Sequence, residues 1–544
     1  MHEITAAAIT PADFSRIRCI RGFETIQRDY PAYLTDESKF MSHEAGYLFF
    51  PENEAELSAI LQEMGKSRTA VTISAARTGL VGGCVPSDGA IVSLERFNSI
   101  RGIHYDCSAR EWRLWVECNV LLRDLNRKAI AKSFPEFEKG ADRTVKASYG
   151  KYRNDPRTYF YPPDPTETSA SLGGTVATNA SGARSYRYNA TRNWVRRIRV
   201  MLANGEVLDI PRGKVFASFE GDFTVYDSKG NERVINIPDY TMPKTKCTSG
   251  LFSAPNMDLI DLFIGSEGIL GIITMIEVAL LEKQDKISIV QFLNSDQTAL
   301  DFVIKLREDK RIRPDFIEFY SCRALDLLRS RQLIDAKSVG MPLIPPGPVC
   351  AVFFELSFDP DDAQPDFSAL ETVAGQCGAL IENSWAGYEP REMERFKVFR
   401  HILPEAINGI IAERKKEIPQ LHKLGTDLAV PNPQLQTIWD FYEDSLESAG
   451  LEWVAFGHIG NNHIHINILP RSLEELQKGL ALYEDFARKA VFLGGAVSAE
   501  HGIGKIKKKF LRLMYSDDLL EQIKRVKAAL DPGFMLNPGN MIDV

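Results

Sequence analysis

Residues 162–182 read Pro-Pro-Asp-Pro-Thr-Glu-Thr-Ser-Ala-Ser-Leu-Gly-Gly-Thr-Val-Ala-Thr-Asn-Ala-Ser-Gly. Small and hydroxylated side chains dominate this stretch. A loop this long inside a compact domain is usually either a linker or a functional loop. Two further runs are similar in kind. One is Ser74-Ala75-Ala76-Arg77-Thr78-Gly79-Leu80-Val81-Gly82-Gly83. The other is Leu262-Phe263-Ile264-Gly265-Ser266-Glu267-Gly268-Ile269-Leu270-Gly271-Ile272-Ile273-Thr274. Taken singly, residues 74–83 read as an ordinary strand-to-strand loop, and the bland reading of 162–182 is a surface linker. Taken together in one half of a chain, they suggest backbone wrapped closely around an extended ligand, an approach that glycine permits. The N–H groups of a tight small-residue loop can line a diphosphate. Residues 74–83 match neither G-x-x-x-x-G-K-[ST] nor G-x-G-x-x-G, so neither standard nucleotide fingerprint applies.

The flanks of these loops carry regular patterns. Residues 53–68 place Leu57, Ile60, Leu61 and Met64 on one helical face. Short β-rich runs follow at 69–74 and 90–94. Residues 112–118 alternate as a strand, and 119–131 read as a helix capped by Asn119. Residues 195–210 read as a hairpin turning at Asn204-Gly205. The character changes near 285. Strands are expected at 287–292, 316–320 and 351–357, with helices at 297–307, 390–416, 473–493 and 516–530. The prolines of 337–350 imply a rigid loop.

Histidine is the most informative residue type. Four of the nine lie between 458 and 501. Residues 463–468 alternate, so His463, His465 and Asn467 share the polar face of a strand. His458 precedes a Gly-Asn-Asn turn that can fold it toward His465. Glu500 and His501 lie between small residues downstream. Two imidazoles and a carboxylate leave coordination positions open, as a catalytic metal requires. A solvated, histidine-bearing sheet face is an equal reading of that spacing. On a regular strand Glu500 and His501 would point to opposite faces. Both can face one site only if the chain turns there, which Gly502 and Gly504 permit.

The 544-residue chain is 44% hydrophobic and 25% charged, with a net charge of −8. That composition excludes disordered, collagen-like and coiled-coil classes, and it makes nucleic acid an unsuitable partner. The eight cysteines form no C-x-x-C pair, which speaks against iron–sulfur clusters and zinc ribbons. Residues 1–30 carry charges at Glu3, Asp13, Arg16, Arg18, Arg21 and Glu24 and do not read as a signal peptide. No run reaches the ~20 apolar residues of a spanning helix. A cytoplasmic location is expected, with peripheral association at the inner membrane and a homodimer both compatible.

The order of the three small-residue loops, with Pro162-Pro163-Asp164-Pro165 and Gly265-Ser266-Glu267-Gly268, resembles the FAD-binding half of the vanillyl-alcohol oxidase / p-cresol methylhydroxylase superfamily. His458–His465, Ser498–Gly504 and Leu530-Asp531-Pro532-Gly533 with Leu536-Asn537-Pro538-Gly539 resemble its D-2-hydroxyacid dehydrogenase branch, which includes D-lactate, glycolate and D-2-hydroxyglutarate dehydrogenases. The resemblance runs from about residue 45 onward.

It implies an α+β fold, with a two-subdomain FAD-binding domain of the p-cresol methylhydroxylase type and an α+β cap carrying an antiparallel sheet. The expected divisions are an extension at 1–44, the FAD-binding domain at 45–284, the cap at 285–494, and a segment at 495–544 that returns to the flavin domain. Ser74, Ala75, Ala76, Arg77, Thr78 and Gly79 would hold the diphosphate. Asp164, Ser171, Gly174, Asn179, Gly182, Glu267, Ile272 and Asn537 would lie along the flavin and adenosine. His458, His465 and Glu500 match ligands of a divalent metal, zinc or manganese. His501 matches the catalytic base and Arg400 a carboxylate-binding arginine. The implied activity is oxidation of a small D-2-hydroxy acid, D-lactate first and D-2-hydroxyglutarate or glycolate as alternatives, with electrons leaving to a quinone, a cytochrome or an electron-transferring flavoprotein.

The chain departs from the pattern at two places. The usual R-G-G-G-T-G becomes Ser74-Ala75-Ala76-Arg77-Thr78-Gly79; alanine resists positive φ, and Arg77 would add a charge beside the diphosphate. The usual G-H-x-G-D-G-N-x-H becomes Gly457-His458-Ile459-Gly460-Asn461-Asn462-His463-Ile464-His465. No histidine occupies the loop position used for covalent attachment in some relatives, so noncovalent FAD is expected. An alkylglycerone-phosphate synthase-like flavin transferase and a non-flavin metallohydrolase are the alternative readings.

Overall fold

The computed structural model describes residues 2–42, 44–332, 341, 343–347, 349–358, 366–379 and 384–543. Part of the proline loop expected at 337–350, including Pro342 and Pro348, lies outside them.

Helix Glu54–Lys66 starts where the Asn53 side chain accepts the Glu56 N–H, and it buries Leu57, Ile60, Leu61 and Met64. The chain then enters strand Val71–Ser74, crosses through 75–89, and returns as Ala90–Ser93, parallel to the first. A parallel pair needs such a long crossover, and here the crossover is the loop of small residues. With Tyr47–Phe49 and Cys19–Arg21 these strands form a four-stranded sheet. A five-stranded antiparallel sheet stands beside it, in the order Val207–Pro211, Val195–Met201, Ile272–Ala279, Glu111–Glu117, Ile100–Asp106. Its first two strands are the expected hairpin, turning at Gly205 with φ +84°. The helix expected at 119–131 begins only at Leu122, and Leu121 precedes it without a side-chain cap. Asn119 instead donates to the Glu95 carbonyl at 3.4 Å.

A seven-stranded antiparallel sheet begins with Asp285–Leu293. Its order is Trp385–Gly387, Asp285–Leu293, Cys350–Phe358, Pro314–Tyr320, Trp453–His458, His463–Ile468, Leu424–Gly425. Helix Pro390–Glu417 covers one face, burying Phe396, Phe399, Leu403 and Ile407 against Phe316, Tyr320 and Phe353. The last residues run back to the four-stranded sheet. Leu536 bridges Val71, the Asn537 N–H donates to the Val71 carbonyl at 2.8 Å, and Asn537 Oδ1 accepts the Ile73 N–H at 2.8 Å. Among the described residues, no helix is long and apolar enough to cross a membrane.

Candidate active site

A cavity of about 300 Å³ opens between the first two sheets and the chain near residue 500. Its wall includes Ala75, Ala76, Arg77, Thr78 and Gly79, then Ser171 and Gly174, then Glu267, Glu500, His501 and Asn537. The remaining residues expected to hold a cofactor stand behind that wall. Ser74 ends its strand fully buried. Asp164 pairs with Arg184 at 2.9 Å, Asn179 Oδ1 accepts the Arg192 N–H at 3.0 Å, and Ile272 opens the central strand. Gly182 lies so close to Asp164 that a Cβ would sit 2.0 Å from its carbonyl oxygen.

The cradle fits an extended anionic cofactor such as FAD. The N–H groups of Ala76, Arg77, Thr78 and Gly79 have no acceptor among the described residues. The hydroxyl of Ser181, on the cavity wall, is buried without a partner among the described residues. Such groups are ordinarily paired in a folded protein, so they mark where a ligand's oxygens belong. The altered loop confines its strain to one residue: Arg77 adopts φ +60°, while Ala75 and Ala76 do not enter the left-handed region. The Arg77 side chain turns back, donating to the Ala75 carbonyl at 3.0 Å and lying 4.3 Å over the Tyr33 ring. The charge expected beside a diphosphate is thus directed at an aromatic face instead.

Glu267 supports the far end of the cavity. Its two carboxylate oxygens accept the N–H groups of Ile503 and Gly504, each at 2.6 Å, and burial pushes its pKa up to about 6 against those two bonds. The anchored segment turns, with Gly502 at φ +80°, and so both Glu500 and His501 face the cavity. The turn is held from the other side by Asp427, which accepts the N–H groups of both residues at 3.1 Å.

The histidines come from one hairpin. His458 ends strand Trp453–His458 and pairs directly across from His463. His463 and His465 alternate along the next strand, and all three rings converge on Glu500. The ligand-capable atoms of His458, His463, His465 and Glu500 lie within 4.8 Å of one another. His458 Nε2 is 3.4 Å from Glu500 Oε1, and its Nδ1 is 3.2 Å from Glu318 Oε1. His465 Nδ1 lies 2.9 Å from the Thr426 carbonyl, which it meets as an N–H donor, leaving Nε2 as a lone-pair nitrogen. Metal-binding imidazoles are oriented by such outer partners, so the donor set fits a divalent cation.

Three residues that sequence reasoning missed organise this site: Lys246, Asp427 and Glu318. Lys246, from the flavin side, hydrogen-bonds Glu500 and also donates to the Gly182 carbonyl at 3.2 Å. Burial would raise the Glu500 pKa, but Lys246 and His458 hold it well below the usual carboxylate range. Asp427 is fully buried among Lys507 Nζ at 2.6 Å, Ser498 Oγ at 2.7 Å, His463 Nε2 at 3.0 Å and His501 Nδ1 at 3.3 Å. These neighbours outweigh burial and keep it ionised. Glu318 lies between His458 and Arg400, whose Nη2 is 2.9 Å away. Burial opposes its charge, and Arg400 and His458 bring its pKa down to about 2. Burial lowers the His501 pKa against the pull of Asp427, and its imidazole faces the cavity.

Two family models match the chain. The model of the FAD binding domain covers residues 45–146 and 153–211, and that of the FAD linked oxidases, C-terminal domain, covers 282–541. A D-lactate dehydrogenase of Anaerostipes hadrus is 25% identical over 507 residues, spanning 89% of this chain and 87% of the relative. The glycolate oxidase subunit GlcD of Bacillus subtilis is 24% identical, spanning 90% and 87%. A D-2-hydroxyglutarate dehydrogenase of Stutzerimonas stutzeri is 24% identical, spanning 94% of each chain. Among solved structures, an alkyldihydroxyacetonephosphate synthase superposes with a TM-score of 0.60 at 14% identity, covering 99% of this chain and 88% of that one. That likeness is one of fold.

Proposed function

Since the chain belongs to the FAD-linked oxidases of the vanillyl-alcohol oxidase / p-cresol methylhydroxylase superfamily, related to D-lactate, glycolate and D-2-hydroxyglutarate dehydrogenases at about 25% identity, we propose that it oxidises a D-2-hydroxy acid to the 2-oxo acid, with D-lactate or a close analogue as first choice. The observation that carries the reading is the pair Glu500 and His501, turned together into the cavity beside the imidazole cluster.

When bound, FAD would supply the acceptor for the C2 hydride and the route by which electrons leave to a separate quinone, cytochrome or electron-transferring flavoprotein. His458, His465 and Glu500 would hold a divalent ion, zinc or manganese, whose chemistry there would be to lower the pKa of the substrate hydroxyl. His501 takes the hydroxyl proton. Asp427 fixes its Nδ1, leaving Nε2 as the basic nitrogen, and proton transfer to a positioned base is worth about 10²–10⁴ in rate. Arg400 receives the substrate carboxylate. Its Nε and Nη2 lie on Glu318, and Nη1 has no acceptor among the described residues. The charges around the cluster balance without substrate: Glu318, Glu500 and Asp427 face Arg400, Lys246 and Lys507. A divalent ion adds two positive charges, which a carboxylate and an ionising hydroxyl would offset.

The test is anaerobic mixing of the FAD-loaded protein with D-lactate, glycolate and D-2-hydroxyglutarate. One of them should bleach the flavin band in a single turnover, its L-enantiomer, where one exists, leaving the band intact. A protein that binds FAD yet is reduced by no 2-hydroxy acid would sink the proposal.

A further inference from the structure

We propose that His463 supplies a third imidazole, through Nδ1, to the cation site of His458, His465 and Glu500, making a three-histidine, one-carboxylate centre for zinc. The inference rests on the reading of this cluster as a cation site and is independent of which acid is oxidised. In the family pattern that this hairpin resembles, position 463 would hold asparagine; this chain has His463.

Register puts His463 there. It stands opposite His458 across the hairpin and two residues from His465 on the same strand. Ring centroids are 5.6 Å from His458 to His463, 5.6 Å from His458 to His465 and 4.3 Å from His463 to His465. Each imidazole has one nitrogen turned toward an outer polar group and one directed inward, the outer contact being a hydrogen bond for His465 and a charge contact for His458 and His463. For His458 the outer partner is Glu318, for His465 the Thr426 carbonyl, and for His463 Asp427, 3.0 Å from Nε2. That leaves His463 Nδ1 on the inner side, 3.9 Å from Glu500 Oε1. The His463 side chain is fully buried, and among the described residues neither ring nitrogen completes a hydrogen bond, Nε2 meeting Asp427 as a 3.0 Å charge contact and Nδ1 facing Glu500. A histidine kept only for packing would be expected to pair both nitrogens.

The dimensions suit zinc. Ligand atoms at ~2.0–2.1 Å from a tetrahedral zinc stand roughly 3.4 Å apart. The four atoms here lie within 4.8 Å of one another, so closing around an ion requires each to move by less than about one ångström. Three neutral imidazoles favour zinc over magnesium or calcium, which prefer all-oxygen sets. Lys246 is the built-in competitor, since its ammonium occupies Glu500.

The experiment uses the FAD-loaded protein, stripped with a chelator and titrated with Zn²⁺ in the absence of any hydroxy acid. X-ray absorption of the zinc form should fit three imidazoles. His463→Asn, which restores the motif residue, should keep FAD content and melting temperature, should fit two imidazoles, and should bind zinc at least about 100-fold more weakly, the upper range seen even for outer-shell losses. A wild-type site that fits two imidazoles, takes up no zinc, or has the same affinity as His463→Asn overturns the proposal. Should His463→Asn fail to fold, the wild-type absorption spectrum alone decides. A three-imidazole site in a protein whose flavin no hydroxy acid reduces would refute the proposed activity and leave this inference standing.

Discussion

Replacing Asp427 with asparagine should damage stability and turnover by separable routes. The Asp427 carboxylate receives Lys507 Nζ at 2.6 Å, and the only other polar contact of that ammonium among the described residues is Ser498 Oγ at 3.2 Å. Lys507 has a side chain only 9% exposed. Removing one partner of a buried ion pair costs about 3–5 kcal/mol, because the other charge is left uncompensated. Against the roughly 5–15 kcal/mol of an ordinary fold, the variant should still fold with a lowered urea midpoint. Converting Lys507 to methionine as well removes the stranded charge, so the double variant should regain stability, with a coupling of at least about 2 kcal/mol in the double-mutant cycle. Turnover should not return with it. Asp427 also accepts the Glu500 and His501 N–H groups and lies 3.3 Å from His501 Nδ1, so the base proposed at His501 should lose its orientation in single and double variants alike. Anaerobic flavin reduction should be slower by about 10²–10⁴ in both, the worth of a positioned base. A double variant that reduces its flavin at the wild-type rate would refute the positioning role. One no more stable than Asp427→Asn would refute the charge-pair argument.

Three further outcomes follow from the geometry. Arg77→Gly should leave FAD content unchanged, since relief of the positive φ, about 1 kcal/mol, is set against loss of the Tyr33 ring contact, about 0.5–1 kcal/mol; a tenfold weaker FAD affinity would mean that the guanidinium does reach the cofactor. Glu267 has a folded pKa raised to about 6 from 4.5, so its native form favours the proton. Its contribution to stability is full below the unfolded value and lost as pH rises through about 6, a change of about 2 kcal/mol. Urea midpoints of wild type and Glu267→Gln from pH 4 to 7 should therefore differ in slope within that window, and parallel curves would contradict the burial argument. Gly182→Ala must displace the Asp164 main chain, because the added Cβ would fall 2.0 Å from its carbonyl oxygen. Overpacking of about 1–3 kcal/mol, with reduced FAD retention, should appear in melting and cofactor assays.

What could be read in advance depended on whether the signal was local. The 3.6-residue spacing of Leu57, Ile60, Leu61 and Met64 and the two-residue alternation of His463, His465 and Asn467 are consequences of geometry within one element, and both appear as expected. The turn that brings Glu500 and His501 to one side was signalled by its glycines. Asn119 misled because a capping residue type is common outside helix starts, and its amide finds Glu95 instead. Asp427 sits in a stretch with no motif, and its partners Lys507 and His501 lie 80 and 74 residues away. Glu318 lies on a strand buried along its whole length, where alternation is silent about which face a carboxylate takes. Lys246 reads as one more lysine near Lys244 until folding brings Glu500, 254 residues on, against it. The direction of Arg77 was set by Tyr33, in a segment that carried no signal of its own. Local patterns thus marked the histidine strand and the Glu500–His501 turn, while the buried charges around them emerged only from long-range pairing.

The hydrogen bond from the Ile73 N–H to Asn537 spans 464 residues of chain. It has a consequence for biosynthesis. The strand that leads into the Ser74–Gly79 loop is complete early in translation, yet its edge is finished by Leu536 and Asn537. At about 5–20 residues per second, roughly 25–90 s separate the emergence of the two partners from the ribosome. During that interval the N-terminal strands exist with an unpaired edge, of the kind that invites association with other chains, and the flavin cradle lacks one wall. Cofactor capture is therefore expected as a late, largely post-translational event. Nascent chains halted before residue 536 should retain no FAD, and chaperone contact should concentrate on the exposed edge at Val71–Ser74.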